Sequence, residues 1–313
     1  MESSTSTDHA PDGADLFVYR WAPDAGAPVA AVVHLVHGMA EHAARYARFA
    51  EALTKVGCVV YAHDQRGHGN TAKPEDRGHI GDTGGWNDAL GDIRRLVAKE
   101  RALHPNVPVV LFGHSMGSFM VQEVLLDSSK DFAAVILSGT NGKPTPIAAA
   151  GRLVARAERM RVGPRGHSAV LRALSFDAFN KAFRPNRTDF DWLSRDAAEV
   201  DAYARDSLCG FDCSTTTWVE LLDALGRIAN PERQAEIRKD LPIYVFGGAD
   251  DPMSEKAKGV RQLLGAYARA GLTRVTSKLY EGARHEALNE TNRDEITTDL
   301  IAWLKKTVLS KAA

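Results

Sequence analysis

A run of short apolar segments at regular spacing constrains the fold most. Val29–Val36 (VAAVVHLV) is apolar on both alternating faces except at His34. A strand of that kind is buried on both sides, as in a parallel sheet covered by helices. Val59–Asp64, Val107–Phe112 and Ala133–Leu137 repeat the pattern. Helical periods lie between them. Arg45–Leu53 puts Tyr46, Phe49, Ala50 and Leu53 on one face, Trp86–Leu103 runs until Pro105 stops it, and Met116–Leu126 follows the third run. A β-α-β-α series with short turns predicts an α/β fold, a mostly parallel sheet with helices on both faces. Leu16–Trp21 adds a first strand, and the polar Met1–Gly13 reads as a mobile tail.

From Asn141 to Leu241 this rhythm breaks. No segment there reads as a strand. Leu153–Met160, Ala169–Leu174, Phe176–Phe183, Ala197–Asp206 and Trp218–Ile228 have helical spacing, the last with Trp218, Leu221, Leu222, Leu225 and Ile228 on one stripe. The rhythm then resumes with strands at Ile243–Phe246 and Arg274–Tyr280 and helices at Glu255–Ala270 and Thr291–Val308. The expected organisation is a tail (1–13), one α/β core (14–140 and 242–313) and a helical cap insertion (141–241). A chain of 313 residues suits one large domain with an insertion.

Composition removes several function classes. Lys+Arg and Asp+Glu number 39 and 40, so no basic excess points to nucleic acid. The longest apolar run falls far short of the roughly 20 residues that span a bilayer. No stable membrane insertion is expected, and transient contact with a lipid surface stays open. The first residues lack the basic and apolar regions of a signal peptide. Three cysteines (Cys58, Cys209, Cys213) make no disulfide framework, so the expected compartment is the reducing cytoplasm.

The chemistry concentrates at Gly113-His114-Ser115-Met116-Gly117, between an expected buried strand and an expected helix. In that setting G-x-S-x-G puts the Ser115 hydroxyl on a sharp turn, with the Met116 N–H at the start of a helix. A serine needs a base. Of eleven histidines, His285 is the best placed, in the loop after the last strand, where open α/β sheets keep their sites. The imidazole needs a carboxylate. Gly247-Gly248-Ala249-Asp250-Asp251-Pro252 offers two, with Asp251 preferred because Pro252 holds it extended and Asp250 kept as the alternative. A second oxyanion donor is expected from the loop His37-Gly38-Met39, through the Met39 N–H.

Taken together, His37–Leu53, Tyr61–Thr71, Gly113–Met120, Gly247–Pro252 and Leu279–Glu290 resemble the monoacylglycerol lipase and lysophospholipase-like branch of the α/β-hydrolases. The resemblance covers nearly the whole chain and is weakest in the insertion. It implies a helical cap over the nucleophile, an acyl-enzyme mechanism and no cofactor or metal. It places Met39 and Met116 at the oxyanion donors, and its Gly-x-x-Asp-Pro pattern, started at Gly248, lands on Asp251. The expected substrate is a small-molecule ester with an apolar acyl group. A general carboxylesterase for short or aromatic esters, or an amidase, is the alternative.

Two other classes fit less well. A metal hydrolase would use His34, His37, His63, Asp64 and His68, but the pairs 34/37 and 63/64 point to opposite strand faces and no H-x-H or HExxH motif occurs. A non-catalytic binding module would be expected to have lost one of the three triad residues. Asp64, Arg66, His68, Glu41 and His42 read as buried braces for the loops beside the site. Among the cap aromatics, Phe176, Phe179, Phe183, Phe190, Trp192, Phe211 and Trp218, with Leu208, suit an apolar pocket.

Overall fold

The computed structural model describes residues 1–142 and 146–311. Eight strands form one sheet in the order β1-β2-β4-β3-β5-β6-β7-β8. In chain order the elements are β1 (Glu2–His9), β2 (Asp15–Ala22), β3 (Ala31–Val36), α1 (Ala47–Thr54), β4 (Cys58–His63), α2 (Gly85–Leu103), β5 (Val109–His114), α3 (Met116–Ser128) and β6 (Ala134–Ser138). Then come α4 (Pro146–Val162), α5 (Ala169–Leu174), α6 (Phe176–Lys181), α7 (Ala197–Arg205), α8 (Thr215–Ile228) and α9 (Pro231–Gln234). The chain closes with β7 (Ile243–Gly248), α10 (Lys258–Arg269), β8 (Val275–Tyr280) and α11 (Arg293–Thr307). The pairs β1/β2 and β2/β4 are antiparallel, and β4/β3, β3/β5, β5/β6, β6/β7 and β7/β8 are parallel.

Burial explains the apolar runs. Every residue of β3, β4, β5, β6 and β7 is buried. Helices α2, α3 and α10 cover one face through Trp86, Ile93, Met120, Val124 and Leu263. On the other face, α1 and α11 pack Phe49, Leu53, Ile296 and Leu300 against Val33, Phe112 and Phe246. His34, the polar interruption of β3, is buried with its Nδ1 at 2.8 Å from Glu100 Oε1 of α2.

One expectation changes. Met1–Gly13 is not a mobile tail, because Glu2–His9 pairs residue for residue with β2, from Glu2 opposite Ala22 to His9 opposite Asp15. Its side chains are almost all exposed, so an edge strand wet on both faces carries no apolar alternation to read. Asp8 anchors it to Arg95 and Lys99 of α2. The segment between β6 and β7 is helical as far as it is described, with residues 143–145 of the expected insertion outside the described residues. Its helix α8 does more than roof the sheet: Leu221, Ala224 and Ile228 enter the same core as α2 and α3. Among the described residues no helix is long and apolar enough to cross a membrane.

Candidate active site

β3 runs to the left of β5 in the sheet order, with β4 beyond it, and β6 lies to the right. The chain therefore leaves β3 and β5 in opposite directions, which opens a crevice beyond their carboxyl ends. Ser115 stands there, between β5 and α3, at φ 50° and ψ −120°. A non-glycine residue held at positive φ is strained and persists only when its surroundings fix it. The surroundings do so. Ser115 N donates to Ser138 O at 2.9 Å. A Cβ on Gly113 would lie 2.6 Å from Gly117 O, and one on Gly117 would lie 2.2 Å from Val36 O. Both glycines of the motif are thus required by close backbone packing.

The structure brings Ser115, Asp251 and His285 together. His285 Nε2 is 2.9 Å from Ser115 Oγ, and its Nδ1 is 3.1 Å from Asp251 Oδ2. The carboxylate can only accept, so Nδ1 carries the proton and the bare Nε2 accepts the Ser115 hydroxyl. Asp251 and His285 are almost fully buried, at 1% and 2% exposure. The other oxygen of Asp251 accepts the Met253 N–H at 2.9 Å, which fixes the carboxylate plane. Asp250 faces away, its nearest charged partner being Lys256 at 3.8 Å.

Met39 and Met116 follow the turns after β3 and β5, and Met39 lines the cavity beside Ser115. Among the described residues neither amide donates to a backbone carbonyl. Gly38 lets the two turns meet, since a Cβ there would lie 3.2 Å from Ser115 Cβ.

Electrostatics act strongly on His285. Burial is the largest single influence on His285 and pushes its pKa down, but the charge and hydrogen bond of Asp251 together with the charges of Glu286 and Glu41 outweigh it, so the net direction is upward. His114, with ring centroid 5.0 Å from that of His285, is pushed down to about 3 by burial and by the His285 charge. It stays neutral beside the base.

The expected braces are where the loops need them. Asp64 accepts from Ala43 N, Asn70 N and Tyr19 Oη. Arg66 pairs with Asp92 at 2.6 Å, His68 Nδ1 meets Arg66 O at 2.9 Å, and His42 Nε2 meets Asp206 at 2.9 Å. His37 accepts from Gln65 N at 3.0 Å. Of the set weighed for a metal hydrolase, His34, His37, Asp64 and His68 each thus have a separate structural partner.

Sequence reasoning missed Arg45, Glu286 and Tyr203. Arg45 bridges Glu41 and Glu286, and Tyr203 packs over it. The i,i+4 spacing of Glu41 and Arg45 was a readable signal; the long-range partner Glu286 was not. From the insertion, Phe176, Phe190, Trp192, Leu193 and Tyr203 close over Ser115 and leave a cavity of about 30 Å³. That is far less than the few hundred Å³ of a pocket that encloses a whole ligand.

Comparison with known proteins agrees with this architecture. A family model described as serine aminopeptidase, S33 matches residues 27–292. A monoacylglycerol lipase of Mycolicibacterium smegmatis is 30% identical over 311 residues, covering 97% of this chain and 99% of that protein. A human monoglyceride lipase is 28% identical over 278 residues, covering 88% of this chain and 80% of that protein. Among solved structures, a thermostable carboxyl esterase from Bacillus coagulans in complex with glycerol superposes with a TM-score of 0.89 at 24% identity, over 98% of this chain and 99% of that one.

Proposed function

The chain belongs to the serine aminopeptidase, S33 family of α/β-hydrolases, and from that premise we propose that it is a serine carboxylic-ester hydrolase acting on monoacylglycerol or lysophospholipid esters. The observation that carries the reading is the single hydrogen-bonded line Asp251–His285–Ser115 at 3.1 and 2.9 Å.

Each residue has a step. Ser115 Oγ attacks the ester carbonyl carbon while His285 Nε2 takes its proton. The negative charge that forms on the carbonyl oxygen is held by the N–H groups of Met39 and Met116. Asp251 keeps the imidazole in the required tautomer and stabilises the imidazolium. The tetrahedral adduct collapses, the C–O bond to the alcohol breaks, and His285 returns its proton to that oxygen. Water, deprotonated by the same nitrogen, then attacks the acyl-serine; the acyl C–O bond to Ser115 breaks, His285 returns the proton to Ser115 Oγ, and the acid leaves. Residues 141–241 act as the cap, and its aromatic underside favours an apolar acyl chain.

The preference for monoacylglycerol rests on the relatives' names and on that apolar lining. The test is turnover on p-nitrophenyl esters of increasing chain length, monoacylglycerols and lysophospholipids, with Ser115→Ala as control. Long-chain monoacylglycerol as the best substrate is the expected result. A maximum at acetate or butyrate would assign a short-chain carboxylesterase instead. Undiminished turnover by Ser115→Ala would sink the serine mechanism.

A further inference from the structure

Arg45 lies between the two loops that carry the reacting groups, and the steps above do not use it. Its side chain is only 12% exposed. Nη1 donates to Glu41 Oε2 at 2.6 Å and to Glu286 Oε1 at 2.7 Å, and Nη2 donates to Glu286 Oε2 at 2.6 Å. Each acceptor is tied to a working group. Glu41 Oε1 accepts the Gly38 N–H at 2.6 Å, the amide just before Met39. Glu286 follows His285 directly, and its own N–H donates to Leu193 O at 2.8 Å. The insertion seats on the same point. The Tyr203 ring lies 4.7 Å from the guanidinium, and Tyr203 Oη donates to Ala40 O at 2.7 Å, just after Met39.

A general stabilising ion pair has no reason to end on both loops at once. Two buried carboxylates of like sign also repel unless a cation spans them, and the planar guanidinium fork suits that task as an ammonium does not. We propose that Arg45 is a positioning residue for ester hydrolysis: by gripping Glu41 and Glu286 together it sets the distance between the Gly38–Met39 loop and the His285 imidazole. This rests on the ester-hydrolase reading above.

The charged and titratable groups facing His285 are Asp251 from the loop after β7, Glu286 beside it, Glu41 from the loop after β3 and His114 at the end of β5, with Trp192 above it from the insertion. Arg45 offsets one of the two glutamates. Two variants separate positioning from mere stabilisation. Arg45→Lys keeps the charge and loses the fork. Its kcat falls about 10- to 100-fold with KM within about twofold of wild type, and the acid limb of its pH profile stays in place. Glu286→Gln removes one negative charge beside the base, so its acid limb moves to lower pH and its kcat falls. Rates are normalised to active sites titrated with a fluorophosphonate. A wild-type kcat in Arg45→Lys, a loss carried wholly by KM, or a Glu286→Gln profile superimposable on wild type overturns the proposal. Ser115→Ala is assayed alongside. If it is inactive while Arg45→Lys is unaffected, the clamp alone fails; if it hydrolyses esters, the hydrolase reading fails and the clamp with it.

Discussion

The indole of Trp192 covers the imidazole of His285, with ring centroids 4.9 Å apart and planes tilted by 32°. The contact joins the insertion to the loop that carries His285, and the His285 N–H also donates to Trp192 O at 3.4 Å. Phe176 and Phe179 pack against the same indole, at centroid distances of 5.8 and 5.2 Å.

Trp192 is 6% exposed, and its Nε1 has no hydrogen-bond partner among the described residues. Its contribution is therefore packing, offset by one unsatisfied buried donor. Trp192→Ala is expected to lose about 3 kcal/mol of stability. Trp192→Phe, which keeps an aromatic ring and removes the unsatisfied N–H, should lose distinctly less. Urea unfolding curves of the two variants check the order, and equal losses would show that the indole packing is not what counts.

The pH dependence of turnover follows from the raised pKa of His285. The base works only when neutral, so kcat/KM is expected to fall on acidification with a midpoint above 6.5, the ordinary histidine value. Asp251→Asn removes the main cause of the upward shift. Its residual activity should therefore show an acid limb at lower pH, in addition to a drop of roughly 10³- to 10⁴-fold. Asp250→Asn, at the neighbouring half-buried position, should leave both the rate and the limb unchanged. A full pH–rate profile of each variant decides it.

Stability should respond to acid in the opposite sense to that of His285. Burial holds His37 and His63 well below 6.5, His68 at about 4 and His114 at about 3. For these four the unfolded chain takes up protons first. Their contribution is whole above pH 6.5 and is lost as pH falls from there toward the folded values. His285 alone works the other way: its contribution is whole below 6.5 and is lost as pH rises through its raised value. His104 is also lowered by burial, so with five groups against one the unfolding midpoint is expected to drop steadily from pH 6.5 to 4. A midpoint that holds level over that range would mean that these imidazoles are charged inside the fold.

The parts of this molecule that the sequence discloses are those fixed by local pattern. Strands buried on both faces, such as Ala31–Val36, must be apolar throughout, and Ser115 must sit between glycines because no other residue fits beside Val36 O and Gly117 O. What escaped was set by partners far along the chain. The strand Glu2–His9 is held by backbone bonds to β2 and carries no side-chain signature. The Arg45–Glu286 pair spans 241 positions and shows no spacing to read. The closing of Trp192 and Tyr203 over the site depends on how the helices of the insertion pack, which their amphipathic stripes leave open.

Gly117 offers the sharpest test of how tightly the two turns are locked. A Cβ there would meet the carbonyl oxygens of Val36 at 2.2 Å and His37 at 2.5 Å, and both are backbone atoms that lead directly into Gly38 and Met39. Neither can give way without displacing the loop that is to hold the oxyanion. Gly117→Ala should therefore cost about 1–3 kcal/mol in stability from overpacking, together with a fall in kcat on the order of 10²-fold from the displaced loop. Gly91 on α2 provides the contrast. Nothing lies within 4 Å of a Cβ at that position, so Gly91→Ala should gain about 0.5–1 kcal/mol from helix propensity and leave turnover untouched. Thermal unfolding and active-site-titrated kinetics of the pair give both readings. A Gly117→Ala enzyme with full kcat would mean that the loop after β3 tolerates displacement and that its amide is not what holds the developing charge.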